Sequence, residues 1–141
     1  MEDMLTKNNV RLTLDGARAI LAAAEKKALE IHVPQIIAIV DEGGHLLLFA
    51  RMDGVKLSSI EVALTKATSA ALRRAATAPT PSVYLSLGLA FATGGKLTCI
   101  RGGLPLMAGD QCVGGIGVSG GTEDEDVLVA QAGVEALKRI A

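Results

Sequence analysis

The chain predicts an α+β fold, a single five-stranded, mostly antiparallel sheet flanked by helices in the order α-β-β-α-β-β-β-α. Three observations carry this. Apolar residues recur every three or four positions near both ends, short apolar runs fill the space between, and hairpin-length turns of acids and glycines separate those runs.

Thr13 is placed to cap a first helix, whose stripe is Leu14, Ala17, Leu21, Ala24, Ala28 and Ile31, while Arg18, Glu25 and Lys26 fall off it. Pro34 closes that element. Ile36–Val40 is a continuous apolar run suited to a buried strand, and the turn Asp41–Gly44 leads to a second strand, Leu46–Arg51. Ser58 and Glu61 form a capping-box pattern that opens a helix running to about Ala76. Pro79 and Pro81 mark an irregular crossing or short helix through Leu89. Strands follow over Lys96–Arg101, Leu104–Ala108 and Gln111–Val118, joined by Gly102-Gly103 and Gly109-Asp110. A second capping-box pattern, Thr122 with Glu125, starts a closing helix with the stripe Val127, Ala130, Val134, Leu137 and Ala141.

A chain of 141 residues fits one domain with one real core, over 1–141, with residues 1–11 expected to be a flexible N-terminal stretch. Half the residues are apolar but only 2% are aromatic, so Ala, Leu, Ile and Val must build that core. The 14 basic and 15 acidic residues leave a net charge of −1, which gives no field to attract a polyanion; nucleic acid is not an expected partner. No apolar run approaches the roughly 18–20 residues a membrane span needs, so no membrane partner is expected either. Met1–Arg11 is polar and mixed in charge, unlike a secretory leader, and Cys99 and Cys112 fit neither a disulfide framework nor a zinc pattern. A cytoplasmic protein with reduced thiols is expected, and the sixteen glycines and apolar surface favour a homo-oligomer.

Two patterns that invite a functional reading are set aside. Gly115-Ile116-Gly117-Val118-Ser119-Gly120 matches the dinucleotide-binding spacing. A nucleotide cofactor is nevertheless not expected, because the following helix opens with Glu123-Asp124-Glu125-Asp126, which would repel a pyrophosphate. These glycines are read as allowing close packing at a turn or subunit contact. The four acids point in different directions around a helix and are read as capping residues, not as a metal site.

The informative segment is Asp41–Gly54. His45 stands at a hairpin edge, and strand alternation would put His45, Leu47, Phe49 and Arg51 on one face, an imidazole and a guanidinium separated by apolar surface. That face suits an anionic ligand with a flat or apolar body. Asp53 follows, and Lys66 lies on a helix face beside Ala63 and Ala70, where small neighbours leave space at a cation. Arg101-Gly102-Gly103 is a second candidate rim, the glycines admitting a ligand and Arg101 holding an acid group. His32, beside the end of the first helix, is read as structural.

The runs Val40-Asp41-x-Gly43-Gly44-His45-Leu46-Leu47 and Arg51-Met52-Asp53-Gly54, with Lys66-Ala67, Gly102-Gly103-Leu104-Pro105-Leu106 and Val113 to Gly120, resemble the GlcG/HbpS-like family, the haem-degrading domain family. That family is related to the C-terminal domain of PduO-type corrinoid adenosyltransferases. The resemblance extends from Leu12 to Leu137 and implies a five-stranded antiparallel sheet with helices, in a profilin/PAS-like layer arrangement, usually in oligomers. It also implies that haem, or a related tetrapyrrole, is a possible cofactor. The chain departs from the family pattern between Thr77 and Lys96.

Three functional readings remain open, the third and plainest being an oligomeric accessory protein with no small ligand. In the first, a small-molecule-binding protein takes haem or a similar flat anionic ligand. His45, or as an outsider Met52, ligates iron, and Arg51, Asp53, Lys66, Arg101, Gly102 and Gly103 form the surrounding site. In the second, a cofactor-independent enzyme acts on a small carboxylic acid in catabolism, as an isomerase, hydratase or deaminase, with His45 as general acid or base and Arg51, Lys66 or Arg101 as the carboxylate clamp.

Overall fold

In the computed structural model, which describes residues 4–6 and 8–141, the Thr13 hydroxyl accepts from the Gly16 N–H at 3.0 Å and starts α1 (Leu14–Glu30). Of the stretch expected to be flexible, residues 1–3 and 7 lie outside the described residues, and the Val10 N–H donates to the Gln111 side chain. The stripe that α1 buries is Ala17, Ile20, Ala24 and Ala28, so Ile20 takes the place foreseen for Leu21, which is only partly buried. At the helix end His32 adopts φ 58°, and the Val33 N–H returns to the Ala28 carbonyl. That left-handed turn is what ends the helix.

β1 (Ile36–Asp41) and β2 (Leu46–Arg51) form the expected hairpin, α2 spans Ser59–Arg73, α3 Val83–Ala92, β3 Gly103–Ala108, β4 Gln111–Ser119 and α4 Glu123–Ile140. The sheet has four strands, in the order β2-β1-β4-β3, and every pairing is antiparallel. The fifth strand expected over 96–101 is absent. Both backbone groups of Thr98 are taken by one side chain, Ser69 of α2, whose hydroxyl donates to the Thr98 carbonyl and accepts from its N–H. Gly102, at φ 125°, then breaks the extended path just before β3.

β1 is central and buried on both faces, which is why it reads as an unbroken apolar run. Ile37 and Ile39 face α1 and α4, while Ile36, Ala38 and Val40 face Ala63, Ala67 and Ala71 of α2. Burying each isoleucine contributes about 1.5–3 kcal/mol. The result is three layers: α2, the sheet, then α1 with α4.

The glycines of β4 have a different task from the one expected. Gly120, at φ 138°, lies in the turn after β4 as expected, but Gly115 and Gly117 sit in mid-strand beneath α2. A Cβ on Gly117 would strike the backbone of Ala63 and Ala67, and one on Gly115 the backbone of Ala67 and Ala71. The absence of side chains there sets how closely helix and sheet approach.

The two capping-box patterns diverge. Thr122 and Glu125 form both reciprocal bonds. Ser58 makes no cap, because its backbone is already helical and the Ser59 and Ile60 N–H groups donate to the Lys56 and Leu57 carbonyls of a preceding turn. The helix α2 also stops three residues short of Ala76, at Arg74 with φ 55°. Among the described residues no helix is long and apolar enough to cross a membrane.

Candidate functional site

The β1–β2 turn is organised by one carboxylate. Asp41 Oδ1 accepts from the N–H groups of Gly43 (2.9 Å) and His45 (2.8 Å), and it lies 3.2 Å from His45 Nδ1. Partial burial would push the Asp41 carboxyl up, but the two backbone N–H groups and the imidazole outweigh it and hold the group below its ordinary value. Asp41 is therefore ionised near neutral pH. It fixes the ring by Nδ1, and Nε2 of the 81%-exposed imidazole has no hydrogen-bond partner among the described residues. Gly44 lies against Thr68 and Leu72 of α2, so the exposed apolar side chains near this tip are Leu46 and Leu72. Arg74 borders an adjoining cleft of about 260 Å³ with Glu42 and Cys112.

The face expected along β2 is not continuous. The pairing slips between Ile39 and Val40, so Leu46 opposes Val40 and Leu48 opposes Ile39, leaving Leu47 as an extra residue. Leu47 and Leu48 consequently both pack toward α1 and α4, whereas Phe49 packs toward α2. His45 and Arg51 also stand at opposite ends of the strand, about 20 Å apart at the usual rise per residue. Arg51 and Asp53 line a separate cleft of about 370 Å³ with Met52 and Leu29.

Lys66 is not a free cation beside an open space. It is 1% exposed, and its ammonium donates to the Val118 carbonyl (2.8 Å) and to Asp126 Oδ2 (3.0 Å). Asp126 also accepts from the Gly121 N–H at 3.0 Å. Burial pushes the Asp126 carboxyl above its ordinary value, and its contacts with Lys66, Gly121 and Gln35 only partly offset this. Asp126 thus leaves the group of solvated capping acids. Its helical phase with Val129, Ala130, Gly133 and Leu137 on the buried stripe of α4 is the signal that places it inside. Beside it the Gln35 carboxamide is fully buried and lies against the Asp126 carboxyl, which it helps to hold down.

Arg101 is paired with Asp124 at 2.6 Å on the surface. Gly102 and Gly103 are buried, and they serve packing: a Cβ on Gly102 would come 2.7 Å from Lys66 Nζ and 2.6 Å from the Val118 carbonyl. They leave room for the buried ammonium, and no open rim forms there. Gly103 pairs with Gly117 at one sheet edge and Arg51 with Ile36 at the other, about 14 Å apart for four strands. The sequence-derived cluster therefore divides into a hairpin tip with His45, a β2 end with Arg51 and Asp53, and a buried pair with Lys66 beneath Gly102. Of the cations expected to clamp an acid beside His45, Arg51 is at the far end of β2, Lys66 is buried against Asp126, and Arg101 is paired with Asp124.

Comparison with known proteins gives consistent results. The family model described as haem degrading protein HbpS-like matches residues 12–135. An uncharacterized 15.0 kDa protein from the dhaT-dhaS intergenic region of Citrobacter freundii is 35% identical over 136 residues, covering 92% of this chain and 94% of that protein. The crystal structure of Klebsiella pneumoniae protein ORFY superposes with a TM-score of 0.86 at 36% identity, covering 97% of this chain and 98% of its own. The structure of a PduOC:heme complex superposes with a TM-score of 0.81 at 30% identity, covering 90% and 95%.

Proposed function

The chain belongs to the HbpS-like family of haem-degrading proteins, and from that premise we propose that it binds haem, or a similar flat anionic ligand, at the β1–β2 hairpin tip. The observation that carries the reading is the state of His45, exposed, oriented at Nδ1 by an ionised Asp41 and, among the described residues, without a partner at Nε2. A carboxylate held at one ring nitrogen leaves the lone pair of the other to face outward, so His45 would hold the iron of a bound porphyrin. The heme in the PduOC complex supports the same ligand class by likeness.

The residues of the tip fit such a group. Leu46 and Leu72 offer exposed apolar surface to a macrocycle, and Arg74 is a cation at this end of the sheet for a carboxylate. Bound haem would supply an iron centre; the protein supplies an oriented imidazole and an apolar seat. No observation favours a second reading.

A haemin titration followed at the Soret band tests this. A sharp, saturable band in the wild type that is lost in His45→Ala is the expected result. Asp41→Asn, which keeps the imidazole but removes its ionised partner, should weaken binding about 10–100-fold. An unsaturable response in the wild type, or full affinity in His45→Ala, would remove the tip from consideration.

A further inference from the structure

At the end of β2 farthest from His45, charges of both signs line one cleft without closing on each other. Arg51, the last residue of β2, borders the cleft of about 370 Å³ together with Glu25 and Leu29 of α1, Met52 and Asp53. A second cleft of about 240 Å³ shares Leu29, Met52 and Asp53 and reaches His32 beyond the end of α1. Met52 is a fixed wall of both. Its N–H donates to the Gln35 carbonyl, and its thioether accepts from the Gln35 N–H at 3.4 Å. Leu29, 59% exposed, adds apolar surface. Among the described residues Arg51, Glu25 and Asp53 take part in no ion pair, with each other or elsewhere. Opposite charges held apart around an apolar wall leave a gap that a molecule carrying both charges would span.

We propose that this cleft binds a small zwitterion, an α-amino acid with an apolar side chain. Its carboxylate meets the Arg51 guanidinium, whose planar fork matches a carboxylate. Its ammonium meets Asp53 and Glu25, and its side chain lies on Leu29 and Met52. Arg51 and Asp53 are two residues apart, about 7 Å along an extended chain, which suits the adjacent poles of an α-amino acid lying between them. Sites for small molecules are concave and mostly apolar, with a few polar groups to orient the ligand, and run from about 300 Å³ upward. The charge of the lining selects the class. One guanidinium against two carboxylates leaves the cleft acidic, which disfavours haem with its carboxylates and favours a ligand that brings a cation. Among the described residues no three of His, Cys, Asp and Glu are grouped to hold a metal ion, so that cation is an organic one. The cleft stands at the other end of β2 from the hairpin tip, and its ligand does not rest on haem binding there.

Titration of the full chain with leucine, followed in heteronuclear amide NMR spectra, is the test. Saturable shifts should gather at Leu29, His32, Met52 and Asp53. Leucinamide, which lacks the carboxylate, and isocaproate, which lacks the ammonium, should each bind about 10-fold more weakly than leucine. Arg51→Gln should weaken leucine by a similar factor and leave leucinamide as it was. Asp53→Asn with Glu25→Gln should weaken leucine and leave isocaproate as it was. These side chains form none of the core, so far-ultraviolet circular dichroism should be unchanged in every variant. Shifts that are absent, unsaturable or scattered over the surface would overturn the proposal. So would leucinamide or isocaproate binding as tightly as leucine, or full leucine affinity in Arg51→Gln.

Discussion

Lys66 heads the fully buried side chains by volume, and its ammonium is held by one carboxylate and one carbonyl. Taking two charges out of water is costly, and their attraction repays this only with good geometry. Lys66→Met should therefore destabilise the domain by about 3–5 kcal/mol, because Asp126 is left buried and unpaired, while Lys66→Met with Asp126→Leu should recover most of that loss. Urea unfolding of the two variants measures this; a single variant within about 0.5 kcal/mol of wild type would mean the pair holds nothing together. The same pair shows what the sequence hides at this scale. Lys66 among alanines is visible as a cation with space beside it, but what fills the space arrives from Asp126, sixty residues later. Helical phase places Asp126 inside; only tertiary contact makes it the partner. His45 is the opposite case, since a turn-edge imidazole four residues after an aspartate is legible locally.

At the scale of elements, legibility follows how local the deciding interaction is. The hairpin, α1 and α4 follow from turn chemistry and periodicity, and the Thr122 capping box closes within four residues. Lys96–Arg101 alternates well enough for a strand, yet the Ser69 hydroxyl takes both hydrogen-bonding groups of Thr98, a competition that no local pattern announces. The bulge at Leu47 is likewise set by pairing with β1, and it is what breaks the expected ligand face. The two capping-box patterns supply a direct comparison. Thr122→Ala should cost about 1–2 kcal/mol, whereas Ser58→Ala, which removes no hydrogen bond, should stay within about 0.5 kcal/mol. Thermal unfolding of both settles the matter, and equal losses would mean that Ser58 does cap its helix in solution. Gly117→Ala should exceed either, since its Cβ meets the α2 backbone and not a movable side chain.

Over the whole molecule, the two perturbed aspartates pull stability in opposite directions with pH. Asp41 titrates below its ordinary value in the folded chain, so the stability it adds is complete above the unfolded carboxylate value of about 3.9 and is lost as pH falls through the lower folded value. Asp126 titrates above its ordinary value, so its contribution is fullest below about 3.9 and is lost as pH rises through the higher folded value. The turn at one end of the sheet is thus strongest at neutral pH, while the ion pair under α2 carries a desolvation cost that acid relieves. Asp41→Asn should be less stable than wild type at pH 7, with the two stability curves converging as the solution is acidified. The double variant Lys66→Met with Asp126→Leu should differ in the other sense, gaining on wild type as pH rises from acid to neutral. Urea midpoints across this range at constant ionic strength measure both. Curves that stay parallel from neutral to acid pH would mean that neither carboxylate is perturbed by the folded chain. Convergence for Asp41→Asn would establish the ionised partner that the proposed role of His45 requires.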